Sequence, residues 1–136
     1  MKNAAKNLSL AFAAGCLGGL VSSVTLWIFA EFGILSAFNV RVGAPMTPPW
    51  WYQRIVWGGI WGFLFLIPLT KQNHFLKGLI FSLGPTLFQL FVVFPYWLNK
   101  GMMGVDLGRW TPLFIVFFNA VWGWTTALWL KWTGKA

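Results

Sequence analysis

From Ile55 to Leu69 the chain carries no charged residue. A helix needs roughly 20 mostly apolar residues to cross about 30 Å of hydrocarbon, so this run and its borders have the make-up of a membrane span. Trp50, Trp51 and Tyr52 stand before it, where amphipathic rings prefer the headgroup level, and Lys71 follows it. Three further stretches read the same way. The predicted fold is all-α: an integral membrane four-helix transmembrane bundle in one domain, residues 1–136. Its helices are expected at about 8–32, 50–70, 75–98 and 110–132.

Composition removes the soluble alternative. Of 136 residues, 58% are hydrophobic and 9% charged, against roughly a quarter charged in ordinary globular domains. The net charge of +8 does not point to nucleic acid, because the basic residues are spread over termini and connections without a stripe or motif. Anionic lipid headgroups account for them better. Ala13-Ala14-Gly15-Cys16 resembles a lipoprotein cleavage box. The apolar run continues through Leu20, Val24, Trp27 and Ile28, which favours an uncleaved span.

Small residues mark the faces expected to pack. Ala14, Gly18 and Ser22 form one row on the first helix, and Gly15, Gly19 and Ser23 the next. Arg54, Gly58 and Gly62 share a face of the second helix, and Asn119, Gly123 and Ala127 one of the fourth. Lipid gives helices no hydrophobic reason to associate, so close backbone packing at such residues must do it. Gly15, Gly19, Gly58, Gly62 and Gly123 are therefore the expected helix-packing positions. Their number predicts self-association or docking to another membrane protein. Gly84-Pro85 predicts a kink in the third helix, because Pro85 lacks an N–H and crowds the carbonyl of Phe81. The prolines of 32–49 predict an irregular connection lying on the membrane surface or capping the helices. The glycines of 99–110 predict a flexible turn.

The two halves echo one another. Leu17-Gly18 matches Leu83-Gly84, and Val56-Trp57-Gly58 matches Val121-Trp122-Gly123. The Gly-to-Gly separations are 40 and 39 residues. A parallel duplication of a two-helix hairpin would produce this, with Arg54 opposite Asn119.

Ser22, Ser23, Thr86, Gln89 and Asn119 are the polar residues expected deep in the membrane, near one depth, with Arg54 at the mouth. They are candidates for a ligand site or pore. The competing expectations are hydrogen bonds that hold helices together and, for Arg54, a side chain that reaches out to lipid phosphate. Enzyme signatures are missing: the chain has one His, one Glu, one Asp and one Cys, without metal-ligand spacing or paired carboxylates. No metal, cofactor or catalytic residue is expected. A headgroup enzyme could be assembled only from Glu31, Arg41, Arg54, Asp106 and Arg109.

Thr47-Pro48-Pro49-Trp50 followed by Val56-Trp57 resembles, over about a dozen residues, the segment that opens the second helix of the translocator (tryptophan-rich sensory) proteins. That family has five helices against the four counted here, so the chain is not assigned to it. The resemblance implies an aromatic pocket for an apolar ligand.

Lys2, Lys6, Lys71, Lys77, Lys131 and Lys135 would share one side of the membrane, against Arg41, Arg54, Lys100 and Arg109 on the other. The excess of cytoplasmic Lys and Arg found in membrane proteins then places both termini in the cytoplasm of a cell (inner) membrane protein. The function expected is non-catalytic binding or conduction of a small or lipidic ligand, with an accessory subunit of a larger membrane complex as the alternative.

Overall fold

A computed structural model describes residues 2–40, 47–66 and 74–133. Arg41, Lys71 and Lys135, which figure in the expectations above, lie outside the described residues. All regular structure among the described residues is helical. Helix α1 is Lys2–Glu31, α2 the short Ile34–Ala37, α3 Pro48–Gly62, α4 His74–Phe88 and α5 Thr111–Trp132. Three helices are long and apolar enough to cross a membrane: Ala4–Glu31, Leu76–Trp97 and Thr111–Trp132.

Local chemistry sets the ends. α1 stops where Gly33 takes a left-handed conformation (φ 75°), which a residue without Cβ adopts readily. α3 begins earlier than expected, at Pro48. The first turn of a helix has no internal partner for its N–H groups, so Pro48 and Pro49 lose nothing there. α winding ends at Gly62 and tightens into a 3₁₀ turn, Phe63–Leu66. α4 runs on through Pro85 to Phe88, then opens into a π-helix over Gln89–Trp97. The change of winding thus falls after the expected Gly84-Pro85 position. Pro95 supplies a reason: it has no N–H to give and would crowd the carbonyl of Phe91 in an α turn. The wider winding shows at its end, where the Leu98 N–H donates to the Val93 carbonyl at 2.8 Å.

The described parts of two connections are packed. Leu35 and Val40, flanking the end of α2, are buried against Leu26 and Phe118. In the later connection a 3₁₀ turn, Met102–Leu107, packs Gly104 under the ring of Phe94.

α1 packs along α3 and α5, and α5 along α4. The described backbones of α3 and α4 scarcely approach one another. The helices therefore stand in the order α3, α1, α5, α4, with a gap between the first and the last. Glycines bring the neighbours together. A Cβ on Gly58 would sit 2.7 Å from the Gly15 carbonyl oxygen and 3.0 Å from Gly19 Cα. One on Gly62 would sit 2.5 Å from the Ala11 carbonyl oxygen. At the other end of the row, one on Gly78 would sit 2.8 Å from the Gly123 carbonyl.

Large apolar side chains are buried, Leu26 of α1 among them, but many others are exposed. Ala11, Ala14, Ser22 and Ser23 of α1 are buried, while Leu8, Leu20, Val24 and Ile28 are exposed. Large apolar side chains also face outward from α4 (Leu83, Leu87, Phe91) and α5 (Leu113, Val116, Leu128). An exterior this apolar fits a protein embedded in lipid.

Gly58→Ala is expected to destabilise the protein by about 1–3 kcal/mol, because the atoms its methyl meets are backbone and cannot yield. Leu20→Ala, on the outer face, is expected to stay within about 0.5 kcal/mol. Reversible unfolding in mixed micelles measures both, and equal effects would contradict the seam.

Candidate functional site

The gap between α3 and α4 holds a cavity of about 450 Å³. That lies within the usual range for small-molecule sites, roughly 300–1,000 Å³. Gly19 and Ser22 of α1 and Asn119 and Trp122 of α5 form its back; α3 and the π-helical part of α4 form its sides.

The back wall is tied together by one indole. Trp122 is buried, and its Nε1–H points between two carbonyls, those of Gly15 and Gly58, at 3.2 Å each. The ring therefore joins α5 to both α1 and α3 at the point where those helices cross. Ser22 Oγ donates to the Phe118 carbonyl at 2.9 Å, a second link from α1 to α5.

The polar wall is built from two pairs. Arg54 Nε donates to Ser23 Oγ at 2.6 Å, and Ser23 Oγ in turn donates to the Gly19 carbonyl at 2.7 Å. The guanidinium carbon lies 5.2 Å from the centre of the Trp50 ring, within range of a cation–π contact. Across the cavity, Asn119 Nδ2 donates to Gln89 Oε1 at 3.3 Å. Ser23 precedes the end of α1, and Asn119 follows the start of α5, by about 12 Å at the helical rise, so the two pairs lie at one level. Arg54 is thus turned toward Ser23 and the cavity. The reason is local: Ser23, held at a close α1–α3 crossing, presents an acceptor that lipid tails lack.

The remaining walls are aromatic. Phe88 is central: its ring centre lies 5.6 Å from that of Trp61, 6.5 Å from that of Trp57 and 5.3 Å from that of Trp97. Trp57, Trp97 and Leu98 are exposed, so the cavity opens at this edge.

Among the residues singled out from sequence, Ser22, Arg54, Gln89 and Asn119 line the cavity, and so does Pro85. Ser23 stands behind Arg54. Thr86 is buried outside the wall, and its hydroxyl donates to the Ser82 carbonyl of its own helix at 2.7 Å. A threonine in a helix interior finds that carbonyl before any ligand. Gly15, Gly19, Gly58, Gly62 and Gly123 lie at the crossings, all within this one chain. Gln53 was not anticipated, and an aromatic pocket was implied only by the resemblance, without the rings that form the wall. A signal existed: Trp50, Arg54, Trp57 and Trp61 recur at the spacing of one helical face.

Of the residues from which a headgroup enzyme could be assembled, Glu31, Asp106 and Arg109 are exposed and away from the cavity. No cluster of three or more metal-ligating side chains occurs among the described residues. Comparison with protein-family models, curated proteins and solved structures found no match.

Trp122→Phe keeps the ring but removes its N–H. A loss of about 1 kcal/mol is expected, with the cavity still present. Unfolding free energies in micelles measure it, and no loss would show that the indole bond contributes packing alone.

Proposed function

We propose that the chain is a four-helix transmembrane bundle that binds a small or lipidic ligand in the cavity between α3 and α4 without acting on it chemically. The observation that carries this reading is the cavity itself: polar groups converge at one level of an otherwise apolar, aromatic-walled space. Ser22, Arg54, Gln89 and Asn119 each take part in a hydrogen bond between helices and also border the void, so they join the helices and line the space at once.

The fourth span in this reading is α3 with its 3₁₀ extension, Pro48 to Leu66. Support for a duplication comes from the two polar pairs. A shift of 66 residues carries Ser23 to Gln89, and one of 65 carries Arg54 to Asn119, the register of the Gly18–Gly84 and Gly58–Gly123 echo. The hydrogen bond from Arg54 to Ser23 then has its counterpart in that from Asn119 to Gln89. Gly19 and Pro85, and Trp57 and Trp122, are related likewise and also line the cavity. A cavity at the interface of two repeats is where transporter folds of this kind place their ligands. In this reading the protein lies in a cell (inner) membrane with both termini cytoplasmic.

The alternative, an accessory subunit docked by its glycines, is weakened because those glycines already face one another inside the chain. Self-association would have to use the bulky outer faces.

Val93→Trp, which fills the cavity, and the double change Gln89→Leu with Asn119→Leu test the reading. Each is expected to lower binding of monooleoylglycerol and monooleoyl phosphatidic acid at least tenfold, by native mass spectrometry in nanodiscs. Unchanged binding in both variants would end it. Reporter domains fused to either terminus are expected on the cytoplasmic side.

A further inference from the structure

We propose that Arg54 holds an anionic oxygen group, phosphate or carboxylate, of the ligand, whose apolar part leaves the cavity sideways between α3 and α4. The proposal rests on the binding reading above and gives the ligand its chemistry.

An arginine side chain carries five N–H donors in a rigid plane and no acceptor. One of them, on Nε, is taken by Ser23. Among the described residues, the donors on the two terminal nitrogens have no acceptor, and the Arg54 side chain meets Ser23 and the Trp50 ring. A charge at membrane depth is expensive unless something pairs with it. The chain has two acids, Glu31 and Asp106, and neither pairs with Arg54 or lines the cavity. No described residue supplies the anionic partner, and a ligand would supply it.

The side chain is also set up to receive one. The Ser23 bond fixes one edge of the guanidinium and the Trp50 ring covers a face. That leaves the terminal nitrogens as a preformed fork, the geometry that binds carboxylate and phosphate through two parallel bonds. The other polar groups of the wall are neutral: Gln53, Gln89, Asn119 and Ser22. No carboxylate stands there to receive a cation.

The opening fits an amphiphile. Trp57, Trp97 and Leu98 are exposed at the mouth. They lie on the side where the backbones of α3 and α4 stand apart. An acyl chain passing over these rings reaches the lipid without crossing a polar surface.

The test uses the full chain in phosphatidylcholine nanodiscs. Three probes are compared: monooleoyl phosphatidic acid, monooleoylglycerol with the same tail and no charge, and inorganic phosphate. The phosphatidic acid is expected to bind one per chain, at least tenfold more tightly than monooleoylglycerol. Arg54→Gln is expected to bring the two within about twofold, and Arg54→Lys to keep part of the preference. Displacement of the phosphatidic acid by millimolar inorganic phosphate would support anion recognition with a soluble source; no displacement would support it with a lipid source. Equal binding of the charged and neutral probes to the unaltered protein would overturn the proposal, whether or not the variants fold. So would a preference that survives Arg54→Gln. In either case the cavity would remain a binding site. Failure of both amphiphiles to bind at all would remove the binding reading with it.

Discussion

The α1–α3 crossing at Gly15 and Gly58 is the contact on which the rest of the structure depends. Two backbones meet there with no side chain between them. That closeness lets one indole N–H, from Trp122, reach a carbonyl of each helix. The same crossing puts Ser23 within reach of Arg54. In a bilayer this is how helices are held: dispersion between closely fitted surfaces, and hydrogen bonds that have no water to compete with them.

The cavity follows from an inequality between the helix pairs. α1 and α5 are drawn together by small residues and by Ser22, Trp122 and Thr126, whose hydroxyl lies 3.4 Å from the Ala14 carbonyl. The corresponding pair under the proposed duplication, α3 and α4, has Trp57, Trp61 and Phe88 at its facing positions. Rings of that size hold backbones apart. One pair closes and the other stays open, and the open one holds the cavity. The difference between the two halves also places a charge on one side, Arg54, and neutral amides on the other.

Much of this was legible in the residues. The uncharged runs imply helices in lipid, and the glycine rows mark which faces approach. The deep polar residues were identifiable as a group, since only a few lie far from either boundary. Three things were not legible. Pro48 and Pro49 read as a break yet open a helix, because the first turn has no bond for them to lose. The π winding after Phe88 depends on what Pro95 does to a turn already packed against α5. Thr86 has the same side-chain chemistry as other deep hydroxyls, and only its orientation assigns it to its own helix.

The lipid-facing character, the helical class and the level of the polar groups are properties of composition and spacing, and each follows from the cost of placing charge or an unpaired peptide group in hydrocarbon. Whether those polar groups meet one another or face a void could not follow from spacing. It depends on how far apart two helices stand, and that distance is set by the bulk of side chains on separate helices, such as Trp57 and Trp61 against Phe88. Arg54 at the edge of a span reads as a surface residue; the close crossing beside Ser23 makes it the one charged residue among the described residues that line the cavity.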